Sequence, residues 1–126
     1  MHRVLVVDDE PMLRILTARA LRDCGYEVVE APDGMAAYEL AQAQPFDLVV
    51  TDSRMPNMTG MELVTRLRSI HPGLPILHIS GSLGGSSEPK NIPADIPTLY
   101  KPFDICDLVK ETERLLASGA GDGVTE

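Results

Sequence analysis

The chain has 126 residues, 44% of them hydrophobic and 24% charged, with a formal net charge of −8 at pH 7. That length suits one domain with a sizeable core. No apolar run approaches the ~20 residues of a membrane span, and an acidic chain with no basic run or aromatic–basic interleaving argues against direct nucleic-acid binding.

Met1-His2-Arg3-Val4 leads straight into a strand and is too short for a signal peptide. The first strand is predicted over about Arg3 to Val7, a β-branched block without alternation, as a strand buried on both faces requires. Glu10-Pro11 opens a helix, with proline near the first position, where a missing N–H costs little. Leu13, Leu16, Ala20 and Cys24 recur at helical spacing, and Gly25 ends the helix. The second strand is about Glu27 to Ala31. Asp33-Gly34 then caps a helix with Ala37, Leu40 and Ala41 on one face, closed by Pro45. The third strand runs through Leu48-Val49-Val50-Thr51 to Asp52, and a loop covers Ser53 to Thr59. A third helix starts near Gly60, buries Leu63, Leu67 and Ile70, and stops before His71-Pro72-Gly73. The fourth strand is about Pro75 to Ser80.

The stretch from Gly81 to Pro97 breaks this rhythm. It holds Gly81, Gly84, Gly85, Pro89, Pro93 and Pro97, so a regular fourth helix is not expected. A short strand, Thr98 to Tyr100, precedes a final helix from about Asp104 that buries Ile105, Leu108, Val109 and Leu116. The expected organisation is one domain over residues 1–117 and a flexible Gly-rich tail over 118–126. Cys24 and Cys106 fall in predicted helices at no metal-ligand spacing and read as free, half-buried thiols of a reducing compartment. The alternation of strand and helix predicts an α/β fold: a five-stranded parallel sheet, doubly wound, with helices on both faces.

In such a sheet the carboxyl ends of all strands lie along one edge, where ligands bind. Asp8 and Asp9 end the first strand, Asp52 the third and Ser80 the fourth, and Lys101 follows the fifth. Three carboxylates, a hydroxyl and an ammonium are thereby directed to one place. The carboxylates repel one another, and a hard cation and a lysine would relieve that. Asp52 is the candidate nucleophile, able to attack phosphorus and form an acyl phosphate. Alternative roles are an Asp8 or Asp9 that caps the next helix, an Asp52 that precedes a turn, and a Lys101 that is solvated. His2, His71 and His78 are too scattered for a metal cluster.

These segments together resemble the receiver domain of two-component response regulators over about residues 2 to 117. Val4-Leu5-Val6-Val7-Asp8-Asp9-Glu10, Asp52-Ser53-Arg54-Met55-Pro56-Asn57-Met58-Thr59-Gly60-Met61-Glu62-Leu63, His78-Ile79-Ser80-Gly81 and Tyr100-Lys101-Pro102-Phe103 occur in the family's order and spacing. The resemblance implies a flavodoxin-like strand order, Asp52 as phosphoacceptor, and Mg²⁺ (or Mn²⁺) held by Asp9 and Asp52 directly, Asp8 largely through water, and the Arg54 backbone carbonyl. It further implies Ser80 as the switch hydroxyl and Lys101 as the family's site lysine. The implied partners are a sensor histidine kinase or histidine phosphotransfer protein and a downstream protein target. The expected protein is cytoplasmic, without nucleic acid or membrane contact, monomeric or dimerising on phosphorylation, and catalyses only its own phosphorylation and dephosphorylation.

Two positions depart from the family pattern. Thr98 stands where an aromatic switch residue is common, with Tyr100 beside the lysine instead, and the Gly/Ser/Pro stretch stands where the family has its fourth helix. One rival reading is a degenerate receiver used only for docking. An Mg²⁺-dependent aspartyl-phosphate phosphatase fits poorly, because Arg54 stands where those enzymes need a second aspartate. A nucleotide-binding module lacks its Gly-rich loop, since Asp9-Glu10-Pro11 occupies that place.

Overall fold

The computed structural model describes residues 2–53, 58–80, 96–100 and 103–122, the stretch 118–122 as backbone alone. The elements in chain order are β1 (Arg3–Val7), α1 (Pro11–Asp23), β2 (Glu27–Ala31), α2 (Gly34–Ala43), β3 (Leu48–Asp52), α3 (Gly60–Ile70), β4 (Ile76–Ser80), β5 (Thr98–Tyr100) and α4 (Ile105–Asp122). The region expected to be irregular, 81–95, lies outside the described residues, as do Arg54, Lys101 and the end of the tail at 123–126.

All five strands pair in parallel, in the order β2-β1-β3-β4-β5, which is the doubly wound, flavodoxin-like arrangement. Residues alternate across the sheet, so each strand feeds two cores. Leu5, Val7, Val49 and Ile76 pack with Ala37 and Ala41 of α2 and Leu63, Val64 and Leu67 of α3. Val4, Val6, Val50, Leu77 and Ile79 pack with Ala18 and Leu21 of α1 and Leu108, Leu115 and Leu116 of α4. Burial on both faces explains the unbroken apolar blocks in β1 and β3. Each such side chain contributes roughly 1.5–3 kcal/mol when fully buried.

Caps fix where the helices begin and end. The Asp33 carboxylate accepts from Ala36 N at 2.8 Å. Thr59 and Glu62 form a reciprocal capping box at 3.1 and 2.8 Å. At the end of α1, Gly25 has φ +96, with Gly25 N donating to Arg22 O and Tyr26 N to Leu21 O. That pair of bonds needs the left-handed residue that glycine supplies without strain.

Four expectations are corrected. Leu16 is 54% exposed and Cys24 is exposed; the buried residues of α1 are Thr17, Ala18 and Leu21. Met12, Leu13, Ile15 and Leu16 offer several apolar stripes, and periodicity alone could not choose among them. Arg14 and Arg22 both pair with Glu30 of β2, which sets the helix's rotation. Cys106 is also exposed rather than half-buried. Ile105 is 43% exposed because it lies in the first turn of α4, ahead of the docked stripe Leu108, Thr112, Leu115 and Leu116. The α4 backbone is helical to Asp122. Once Leu115 and Leu116 are docked the costly nucleus exists, and each added residue gains a hydrogen bond. No helix among the described residues is long and apolar enough to cross a membrane.

Candidate functional site

The strand order reverses between β1 and β3: from β1 the chain moves out to β2, then returns past β1 to β3. Connections diverge there and leave a crevice at the carboxyl ends of the two strands. Asp8 and Asp9 follow β1 directly, and Asp52 closes β3. One carboxylate oxygen from each of the three lies within 4.8 Å of the others. Asp8 and Asp52 are each only 6% exposed, whereas Asp9 is exposed.

Backbone bonds set these positions. Asp8 N donates to Ala31 O at 3.2 Å, extending the β1–β2 pairing by one residue. The Asp8 carboxylate accepts from Glu10 N at 2.9 Å, so it also steadies the turn into α1, which has no side-chain cap of its own. Asp8 thus takes the turn role open to one of the acidic pair, and its carboxylate also lies beside those of Asp9 and Asp52. On β3, the Thr51 hydroxyl donates to the Asp52 carbonyl at 3.1 Å. Ser53 N donates to Ile79 O at 2.8 Å, and Gly60 N to Ser53 O at 3.0 Å, tying the loop after Asp52 to β4 and to the start of α3.

Gly60 was legible in the sequence only as the beginning of a helix. A methyl group placed on it would collide with the Asp52 carbonyl oxygen, so glycine is what permits α3 to start against that peptide. Arg14 was also missed: its guanidinium reaches the Asp8 carbonyl oxygen at 3.1 Å. Nothing local in the sequence signals that contact, because it depends on how α1 lies against β2.

Ser80 is fully buried at the end of β4. Asp52 is in register with Ile79, so Ser80 stands one residue beyond Asp52 on the adjacent strand. Tyr100, in register with Ser80 on β5, is 50% exposed. At the position lacking the aromatic, Thr98 is in register with the buried His78, and Thr98 Oγ1 lies 3.4 Å from His78 Nδ1. His78 is in turn in register with Thr51. A polar row thus crosses three strands just below the site. Arg54 and Lys101 are adjacent in sequence to described site elements but lie outside the described residues.

The donor set suits a hard divalent cation. Magnesium takes oxygens at about 2.1 Å, which places two of its ligands at most roughly 4.2 Å apart. Carboxylates within 4.8 Å of one another need only a small closure to reach that spacing.

A model of the response regulator receiver domain matches residues 4–113. The response regulator receiver protein CpdR of Brucella abortus is 39% identical over 117 residues, covering 92% of this chain and 98% of that protein. The sensor protein EvgS of Escherichia coli is 36% identical over 85% of this chain, a match that spans only 9% of EvgS. Among solved structures, the chemotaxis protein CheY4 of Vibrio cholerae superposes with a TM-score of 0.78 at 33% identity, covering 91% of this chain and 98% of that one. On fold, strand-end chemistry and kinship alike, the chain belongs to the response regulator receiver domain family of two-component systems.

Proposed function

We propose that this receiver domain accepts a phosphoryl group on Asp52 from the phosphohistidine of a sensor histidine kinase or a histidine phosphotransfer protein, and so acts as a signalling switch. The observation that carries this reading is the gathering of Asp8, Asp9 and Asp52 within 4.8 Å at the β1–β3 crevice. An Asp52 carboxylate oxygen forms the new bond to phosphorus as the phosphorus–nitrogen bond of the donor breaks, and the electron pair leaves on the imidazole nitrogen. An ionised carboxylate needs no general base to attack phosphorus.

Transfer through a loose transition state depends mainly on positioning and charge stabilisation. Asp9, Asp52 and the Arg54 carbonyl would hold Mg²⁺ or Mn²⁺, with Asp8 largely through water. The bound cation would supply positive charge at the phosphoryl oxygens. The Ser80 hydroxyl and the Lys101 ammonium are the proposed contacts for the remaining oxygens, Ser80 by its place beside the end of β3 and Lys101 by following β5 in sequence. The domain then acts on no metabolite, modifies only itself, and works in the cytoplasm as a monomer or a phosphorylation-dependent dimer that engages a downstream protein. The occurrence of a matching segment inside a sensor protein supports a histidine kinase as the partner class.

The test is incubation with a small-molecule phosphodonor and Mg²⁺. The wild-type chain takes up one phosphoryl group, and Asp52→Ala takes up none. Undiminished labelling of Asp52→Ala contradicts the assignment, and a wild-type chain that never labels makes the domain a docking module.

A further inference from the structure

The Asp8–Asp9 peptide is held from outside the site. Arg14 Nη1 donates to the Asp8 carbonyl oxygen at 3.1 Å, and its Nε donates to Glu30 Oε1 at 3.2 Å. The other oxygen of that carboxylate, Glu30 Oε2, accepts from Arg22 Nη1 at 3.2 Å, and Arg22 Nη2 donates to the Val28 carbonyl at 2.9 Å. Two arginines of α1 therefore grip one glutamate of β2, and one of them reaches onward to the acidic site. The Arg14 and Glu30 side chains are 19% and 26% exposed, so this is not a pair of loose surface charges.

The Asp8 carbonyl and the Asp9 N–H belong to one planar peptide group, and fixing its oxygen fixes the plane from which the Asp9 side chain departs. Asp8 has further constraints, its own N–H on Ala31 O and its carboxylate on Glu10 N. Asp9 differs. It is exposed, and among the described residues no hydrogen bond holds its side chain. Its placement opposite Asp8 and Asp52 rests on the peptide that Arg14 holds.

We propose that Arg14, anchored by Glu30, is a positioning residue for the acidic site: it sets the Asp8–Asp9 peptide and through it the Asp9 carboxylate. This rests on reading the three aspartates as a divalent-cation site. Two effects of Arg14 on a cation have opposite signs, which makes the inference decidable. Its positive charge alone would repel the cation, so its removal would tighten binding. Its positioning role means that removal weakens binding. Loss of an outer partner that orients a ligand lowers metal affinity by about tenfold or more.

The experiment measures Mn²⁺ affinity by water-proton relaxation, and the Asp9 amide shift in metal-free protein, for the wild type, Arg14→Gln, Glu30→Gln, the double variant and Asp9→Asn. Expected are a roughly tenfold loss for Arg14→Gln, a smaller loss for Glu30→Gln, a displaced Asp9 amide in both, and a double variant no worse than Arg14→Gln, since Glu30 acts through Arg14. Glu30→Gln keeps the shape of the side chain but leaves one acceptor oxygen for two arginines, and it decides the matter should Arg14→Gln fail to fold. Equal or tighter binding in the Arg14 and Glu30 variants, with binding lost in Asp9→Asn, overturns the positioning role and leaves the cation site standing. Unchanged binding in Asp9→Asn overturns the site and the inference together.

Discussion

The two ends of the sheet treat acidic groups in opposite ways. At the amino end, Arg3 gathers its neighbours: its backbone N–H donates to Asp47 Oδ2 at 2.8 Å, and its guanidinium pairs with Glu27 at 3.2 Å. Such half-exposed pairs contribute at most about 1 kcal/mol. At the carboxyl end, Asp8, Asp9 and Asp52 crowd within 4.8 Å, two of them almost wholly buried. At an effective dielectric near 20, two unit charges at that separation repel by about 3.5 kcal/mol. One end disperses or pairs its charge as a folded domain ordinarily does. The other brings three carboxylates to one crevice, where a cation and a phosphoryl group would use them.

Adding Mg²⁺ should act on one end only, with a large effect on stability. At a hundred times its dissociation constant, a ligand bound only by the folded state stabilises it by about 2.7 kcal/mol. Urea unfolding with and without Mg²⁺ should show that gain in the wild type and in Asp47→Ala, and lose most of it in Asp9→Ala. Equal gains in all three would place the cation elsewhere.

Glycine substitutions sharpen the same contrast. A methyl group at Gly60 meets the Asp52 carbonyl, while one at Gly73, in the α3–β4 connection at the amino end, meets nothing within 4 Å. Gly60→Ala should lose about 1–3 kcal/mol through overpacking and slow phosphorylation. Gly73→Ala should stay within about 0.5 kcal/mol of wild type. Thermal unfolding and labelling rates separate the two, and similar losses at both glycines would deny Gly60 a special role.

Lys101→Ala should fold normally and bind Mn²⁺ as tightly or more tightly, since a competing cation is gone. Its response to phosphorylation should shrink, as read from amide shifts with and without phosphodonor. A variant that unfolds, or responds like the wild type, contradicts the coupling role.

The smallest effect belongs to Tyr26, just ahead of β2 at the amino end. Burial, with the nearby Glu113 and Cys24, pushes its phenol above the ordinary 10.0. The unfolded chain therefore ionises first as pH rises, binds fewer protons than the folded state, and stability falls between the unfolded and the folded pKa. Alkaline absorbance titration should find one late-ionising tyrosine that is missing in Tyr26→Phe, and the loss of stability above pH 10 should be shallower in that variant.

Much of the strand pattern was legible because burial on both faces imposes unbroken apolar blocks, as in Val4-Leu5-Val6-Val7, and because parallel pairing sends every strand's end to one edge. Asp33 and Gly25 were readable as helix boundaries because capping is local chemistry. The rotation of α1 was not legible. Leu16 and Thr17 differ by one position, and the choice between them follows from pairing with Glu30 across the fold. The same non-local geometry hid Arg14's reach to Asp8, Gly60's contact with Asp52, and the row Thr51, His78 and Thr98, each of which exists only once strands from distant parts of the chain are in register.

The most direct measurement of the central claim is the stoichiometry and position of the adduct formed with a small phosphodonor, read by mass spectrometry after chemical trapping of acyl phosphates, across a Mg²⁺ titration. The account predicts one phosphoryl group per chain, on Asp52, with a rate that rises from near zero as Mg²⁺ is added. An adduct on another residue, or labelling of Asp52 at full rate in excess chelator, would contradict it.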